Sequence, residues 1–222
     1  MSTDGRSAPW YGALLDSLIR HPDPASRSYR YMARLLDREF AGRDTGHLLA
    51  LSAVDGDGFA QEAALMLAHC LQSELDADVL IIDARLKSQG RSLSAQLGAL
   101  GKPGFAELID SVASIDMSSC RLSTAVPRVT LLPCGAVPTG GALDRERLVA
   151  VLGECRAAYR WTLLLLDSVL ADTRHLLLAT QADAVFGIAI EDRTLQRDLE
   201  ACDLLLRDNG AAGLRVVLAT SG

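Results

Sequence analysis

Short apolar runs alternate with helical patterns from residue 47 onward, and this alternation limits the fold more than any other feature. The clearest case is the apolar run Leu48–Ala53, which stops at a short Asp/Gly turn before a helical pattern in which Met66, Leu67 and Cys70 share one face. Further strand-length apolar runs lie at 78–83, 129–132, 161–167, 184–190 and 216–219. Apolar strands that alternate with helices predict a doubly wound, mostly parallel α/β sheet with helices on both faces.

The segment 1–26 differs from the rest of the chain because it is polar and contains three prolines. Its apolar residues are spaced as on one short amphipathic helix, which we expect to pack on its own domain: Trp10, Leu14, Leu15, Leu18 and Ile19. No linker or internal repeat interrupts the later alternation. We therefore predict an N-terminal extension at 1–26 and a single α/β domain at 27–222.

Composition excludes several classes of function. The 222 residues carry a formal net charge of −6, which gives no reason to expect nucleic acid as a partner. The five cysteines and four histidines are dispersed, so we expect reduced thiols and no metal site. No signal-peptide core or membrane-spanning run is present, and the predicted location is cytoplasmic, without direct membrane insertion.

The turn at Gly56, Asp57 and Gly58 has the layout of a phosphate-binding loop, in which backbone N–H groups and a helix N-terminus meet an anion. In a working loop of this kind, Lys and then Ser or Thr follow the second glycine. The chain has Phe59 and Ala60 at those positions. Each lost charge-assisted contact with phosphate forfeits about 1.5–3 kcal/mol of binding.

Two acidic residues end later strands, Asp83 after one apolar run and Asp167 after another. In doubly wound sheets, ligands bind at the carboxyl ends of the strands. We therefore expect Gly56, Asp83 and Asp167 to lie at one edge of the sheet. Together with Asp57 and Gly58, they form the predicted vestigial nucleotide site.

Five motifs, in this order, resemble the cytoplasmic domain of bacterial tyrosine autokinases, the ATPase partners of polysaccharide co-polymerases in the MinD/ParA-like class of P-loop proteins. The resemblance covers about residues 25–220. The matching segments are 52–60 for the Walker A loop, 80–87 for the I-D-A-D-L-R motif, 104–109 for the G-L-S-E-L-L helix, 131–135 for the L-P-x-G turn and 159–167 for the Walker B strand.

The departures from this family lie at its catalytic positions. Phe59 and Ala60 replace the lysine and the hydroxyl residue of the Walker A loop, and Arg85 replaces the second acid of the second motif. Because phosphoryl transfer depends on positioning and charge stabilisation, these replacements weigh against enzyme activity, and no catalytic residue is assigned. The resemblance then implies a degenerate pseudo-kinase or pseudo-ATPase that acts as a regulatory or scaffolding partner in bacterial exopolysaccharide biosynthesis and export.

The resemblance also implies a partner, a membrane polysaccharide co-polymerase (a chain-length determinant protein), which would hold this chain at the inner membrane. Homo-oligomer formation stays open. No cofactor is expected, although weak binding of ATP or ADP stays open.

Two alternative functions remain at this stage. One is a weak MinD-like ATPase or nucleotide-dependent dimer switch, in which Lys87 or Arg85 acts across a dimer. The other is a nucleotide-binding module without hydrolysis, in which Asp83 and nearby backbone hold adenosine or a diphosphate. Structural roles are expected for Asp55 and Asp57 as helix N-terminal carboxylates, for Phe59 as filler of the phosphate volume, and for His175 as an ordinary packing or surface residue.

Overall fold

The strands form one sheet. The computed structural model describes residues 24–55, 59–85, 92–110, 115–135 and 143–219. The strands in these ranges are β1 His47–Ala53, β2 Val79–Asp83, β3 Leu122–Ser123, β4 Val129–Leu132, β5 Trp161–Leu166, β6 Ala184–Ile190 and β7 Leu214–Ala219. They lie in the order β3-β4-β2-β5-β1-β6-β7, and every neighbouring pair is parallel except β3 and β4. The predicted mostly parallel sheet is confirmed.

The helices of the described ranges connect these strands. They are α1 Pro24–Glu39, α2 Phe59–Leu75, α3 Leu93–Gln96, α4 Phe105–Leu108, α5 Met117–Cys120, α6 Arg145–Ala158, α7 Thr173–Ala179 and α8 Gln196–Asp208. Local chemistry explains their ends. The carboxylate of Asp144 accepts a hydrogen bond from the Arg147 amide at the start of α6, and Gly210, with φ of +75°, follows the end of α8.

Two apolar cores lie on opposite faces of the sheet. The first core contains residues of α1 and α2, and the second contains residues of α6, α7 and α8. Alternation along β1 supplies both cores, since Leu49 and Leu51 belong to the first and Leu48 and Ala50 to the second. Every residue of β1, β2, β5 and β6 is buried, as the uninterrupted apolar runs predicted. The helices therefore cover both faces of the sheet.

The structure differs from prediction at element boundaries and in one connection. Helix α1 begins at Pro24, within the predicted extension, because proline is well accommodated in the first turn of a helix. The short α5 and the antiparallel β3 were not predicted, since four-residue and two-residue elements have too few positions to show a period. Strand β7 begins at Leu214, two residues before its predicted start.

The sheet order positions the two predicted strand-end acids. Asp83 is the last residue of β2, and Asp167 directly follows β5. These strands are hydrogen-bonded neighbours, with Asp83 opposite Leu165. Both carboxylates therefore lie at the carboxyl edge of the sheet, as predicted.

Candidate functional site

The acid after β5 is held at the end of β1. The main-chain carbonyl of Asp167 accepts a hydrogen bond from Ser52 Oγ at 3.0 Å, and Ser168 Oγ donates to the Val54 carbonyl at 3.0 Å. Because Val54 directly follows β1, these bonds place Asp167 beside the point where the chain leaves that strand. The predicted loop residues Gly56, Asp57 and Gly58 lie outside the described residues, as does Lys87.

Arg85 forms a buried ion pair with Asp167. The amide of Ala84 donates to the Leu165 carbonyl at 3.0 Å, which continues the β2–β5 pairing up to Arg85. Arg85 Nε then donates to Asp167 Oδ1 at 2.7 Å, and the two side chains are only 3% and 12% exposed. Buried charges require such partners because leaving water costs several kcal/mol per ion. Arg85, which stands where the resembled family has an acid, is thus the ion-pair partner of Asp167.

His175 is the second side chain that contacts Asp167. Its Nε2 lies 3.5 Å from Asp167 Oδ2, and its side chain is buried. Burial raises the pKa of Asp167, but the contacts with His175 and Arg85 outweigh it and lower the pKa to about 2. Asp167 is therefore ionised at neutral pH. The expectation that His175 is an ordinary packing or surface residue missed this contact.

Asp83 is satisfied by a different set of groups. The amide and the hydroxyl of Ser94 both donate to its Oδ2, at 2.7 and 2.5 Å, and the Arg85 amide donates to Oδ1 at 3.4 Å. Burial raises the pKa of Asp83, and the hydrogen bonds from Ser94 partly offset this rise. Ser94 Oγ also accepts from the Cys134 amide at 2.8 Å, so the network extends to the turn after β4.

The segments 104–109 and 131–135, which carry two of the family-like motifs, contact each other directly. At the start of α4, the Phe105 amide donates to the Pro133 carbonyl at 2.8 Å and the Ala106 amide to the Cys134 carbonyl at 2.9 Å. A Cβ on Gly104 would lie 2.2 Å from the Pro133 oxygen, so only glycine allows this approach. The contact holds the Cys134 amide against Ser94, and thus supports Asp83.

The first residues of α2 carry no group that could hold phosphate through a charge or a hydroxyl. Phe59 is partly buried and packs against the first core, and Ala60 is fully buried. Asp55 accepts a hydrogen bond from Thr194 Oγ1 at 2.9 Å, which links the end of β1 to the loop after β6. That contact was not predicted, since the sequence indicated only a helix-capping role for Asp55.

A magnesium ion bound with a nucleotide, which the family resemblance implies, does not fit the described residues at this edge. Magnesium requires oxygen ligands, and Asp167 instead faces the guanidinium of Arg85 and the imidazole of His175. Among the described residues there is no group of three or more His, Cys, Asp or Glu side chains that could hold a metal ion.

Ser94, Arg85 and His175 complete the site, and of these only Arg85 had a predicted site role, in the alternative of an ATPase that acts across a dimer. Arg85 carried a signal, because it replaces an acid within a motif. Ser94 and His175 carried no signal, because the sequence does not show that the segments after β2 and β5 bring them back onto Asp83 and Asp167. No residue of the described chain belongs to a helix long and apolar enough to span a membrane.

Comparison with known proteins identifies the fold. No protein-family model and no curated protein matches the sequence. The kinase domain of the Escherichia coli tyrosine kinase ETK superposes with a TM-score of 0.80 at 15% identity, over 93% of this chain and 80% of that one. The chain has the fold of the bacterial tyrosine kinase domains. The VpsO kinase domain agrees, with a TM-score of 0.72 at 18% identity over 94% of this chain and 99% of that one.

A protein described in other terms superposes on the same fold. The MinD cell division protein of Aquifex aeolicus superposes with a TM-score of 0.57 at 14% identity, over 78% of this chain and 68% of that one. The fold predicted from the motifs is therefore confirmed. Because all these identities are low, the similarity concerns the fold.

Proposed function

We propose that this chain is a catalytically degenerate relative of the bacterial tyrosine kinases, and that it acts as a regulatory or scaffolding protein in exopolysaccharide biosynthesis and export. One observation carries the proposal. The buried guanidinium of Arg85 lies on Asp167, the acid that corresponds to the Walker B residue of the family. The chain thus supplies its own cation at a position where the family's acids serve a nucleotide and its metal.

The ion pair between Arg85 and Asp167 opposes metal binding at Asp167. A divalent cation at Asp167 would meet the positive charge of Arg85 at short range. Displacing Arg85 would remove the partner of a buried charge, which costs about 3–5 kcal/mol. Asp83 is likewise engaged, because two donors of Ser94 already occupy one of its oxygens.

The proposed biological role follows from the fold relatives. ETK and BceF are described as tyrosine kinases and VpsO as a kinase domain, and this chain shares their fold over 93–94% of its length. In the family it resembles, such domains work with polysaccharide co-polymerases in the membrane. We infer a partner of that kind, to which this chain would contribute a binding surface without phosphoryl transfer.

A second candidate function, nucleotide binding without hydrolysis, has one observation in its favour. Arg85 Nη1 is buried and has no hydrogen-bond partner among the described residues. An unsatisfied guanidinium N–H favours an anion nearby, because a buried donor without a partner costs about 1–3 kcal/mol. A phosphate or diphosphate group would satisfy it.

Calorimetric titration with Mg-ATP and with ADP, combined with an ATPase assay, separates these functions. We expect neither binding nor turnover for the natural chain. Binding without turnover would support the second candidate in place of the first. Micromolar binding with turnover would overturn both.

A variant that reverses the three departures provides the positive control. Phe59→Lys, Ala60→Ser and Arg85→Asp together restore the family's residue types at these positions. We expect measurable Mg-ATP binding by this triple variant, provided its circular dichroism matches that of the natural chain. A triple variant that folds and still binds no nucleotide would show that the three positions are not the reason for the loss.

A further inference from the structure

Strand β7 leaves a self-complementary edge on the sheet. It is the last strand of the order, and it pairs only with β6 among the described residues. It carries one charged residue, Arg215, which Glu39 of the same chain neutralises through two hydrogen bonds at 2.6 and 2.5 Å. Open apolar edges recruit further strands, and proteins normally protect them with charges, proline or bulges.

Along β7, backbone N–H and C=O groups point alternately toward β6 and toward the open side, and this alternation identifies the free groups. The Ala219 carbonyl accepts from the Glu191 amide, so Ala219 points its backbone groups toward β6. The open side therefore receives the backbone groups of Leu214, Val216 and Leu218. The Leu214 amide is already bound to Asp203 Oδ1 at 2.7 Å. The amides and carbonyls of Val216 and Leu218 have no partner within the described part of the chain and are open to a new strand.

The side chains of the same two residues form an apolar patch. Val216 and Leu218 are 51% and 59% exposed, on the face of the sheet where Leu214 packs against the second core. Val217 and Ala219 point to the other face and pack against the first core. A strand that used the free backbone groups would therefore also cover exposed apolar area.

We propose that β7 pairs antiparallel with β7 of a second copy of this chain, about a two-fold axis at Val217. In this register, Val216 lies opposite Leu218 of the partner copy. The free N–H and C=O groups of these two residues then bond to each other across the axis. The exposed valine and leucine side chains meet on one face, and Arg215 lies opposite an alanine, so no like charges face each other.

A symmetric register centred one residue earlier fits less well. Centring the axis on Val216 would place Leu218 opposite Leu214, whose amide is already bound to Asp203. The Val217-centred register uses the free groups and avoids the occupied one. This match of the strand to its own reversed copy favours a second copy over an unrelated peptide.

Sedimentation of the full chain over a concentration series tests the proposal, with Leu218→Lys as the variant. We expect a concentration-dependent dimer that is the same with and without ATP, and a dissociation constant raised about tenfold or more by the lysine at the edge. Leu204→Lys is the matched control, because Leu204 is 61% exposed on α8 and not on β7. It should leave the dimer unchanged.

Amide hydrogen exchange of the natural chain gives an independent readout. The amides of Val216 and Leu218 should become protected as concentration rises, while the Leu214 amide should not change. A chain that stays monomeric at all concentrations overturns the proposal. A dimer that Leu218→Lys leaves intact, or that Leu204→Lys weakens equally, does so as well. Because nucleotide plays no part in this pairing, its failure would leave the proposed function untouched.

Discussion

At the scale of single residues, Arg85 determines what the neighbouring acid contacts. An aspartate at this strand end would add to the negative charge of Asp167. The arginine neutralises that charge within a buried contact of 2.7 Å. Arg85 thus makes Asp167 part of a closed ion pair, where an acid would have made a pair suited to cations.

The ion pair predicts strong coupling in a double-mutant cycle. Arg85→Met and Asp167→Asn should each lower the free energy of unfolding by about 3–5 kcal/mol, because each leaves one buried charge without its main partner. The double variant should lose clearly less than the sum, with a coupling energy of about 1–3 kcal/mol. Urea unfolding at neutral pH measures all four proteins.

The exposed pair of Arg128 and Asp78 is the control for this cycle. Its side chains are 40% and 52% exposed, so the same substitutions should give a coupling of about 0.2–1 kcal/mol. Equal coupling in the two cycles would contradict the importance assigned to burial.

The same pair predicts how stability changes in acid. The contacts with His175 and Arg85 lower the pKa of Asp167 from 3.8 to about 2, despite burial, which raises it. A carboxyl whose pKa is lowered by folding stabilises the fold above its unfolded pKa, and this contribution is lost as pH falls through the folded pKa. The stability difference between the natural chain and Asp167→Asn should therefore shrink from about pH 4 to about pH 2. Asp83, whose pKa is raised by burial, changes stability with pH in the opposite direction. Its contribution is present in both proteins and cancels in the difference. A difference that stays constant over this range would contradict the assignment.

At the scale of elements, the short helix α4 and the turn after β4 behave as one unit. They are joined by main-chain hydrogen bonds, and Glu107 Oε2 accepts from the Gly104 amide at 2.8 Å to close the first turn of α4. The Cys134 amide in the same turn donates to Ser94, which holds Asp83. Local backbone packing thereby positions a buried carboxylate on another strand.

Two glycine substitutions with opposite expected effects on stability test this unit. One lies in the unit, and the other is a control in α6. Gly104→Ala should destabilise the protein by about 1–3 kcal/mol, because the new Cβ would lie 2.2 Å from the Pro133 oxygen. Gly153→Ala lies within α6 and meets no atom within 4 Å, so it should stabilise by about 0.5–1 kcal/mol. Thermal and denaturant unfolding measure both. A neutral Gly104→Ala would contradict the close contact.

At the scale of the whole molecule, one continuous sheet joins the described segments. Helix α1 packs on α2 and places Ala33 and Leu36 in the first core, and Arg34 Nη2 lies 2.6 Å from Glu74 on α2. The strands on either side of β1 share both cores. The single α/β domain at 27–222 stays a prediction.

That prediction can be tested by the number of unfolding transitions. The chain has two tryptophans, and Trp161 is fully buried in β5. In a Trp10→Phe variant, Trp161 fluorescence reports the centre of the sheet, while circular dichroism reports all helices. We expect coincident midpoints in urea, since small single domains unfold in one cooperative step. Two separated transitions would contradict a single domain.

The sequence by itself determined the type and order of the main elements. Strands such as β1 and β5 are buried on both faces, so each appears locally as an uninterrupted apolar run with a helical period before or after it. The carboxyl-edge location of Asp83 and Asp167 also followed, because parallel strands end at the same side of a sheet. Short elements such as β3 were missed because two residues show no period.

Only the tertiary structure decided what those acids contact. Arg85 and Asp167 are 82 residues apart in sequence, and they meet because β2 and β5 are neighbours in the sheet. His175 and Ser94 reach the same edge from α7 and α3. Local patterns encode the burial of a strand but not the identity of its neighbour, since strand order is set by how helices pack over both faces. The interpretation of residues 56–58 as a phosphate loop lacking two groups stays a prediction, and the structure adds a closed ion pair at the carboxyl edge of the sheet.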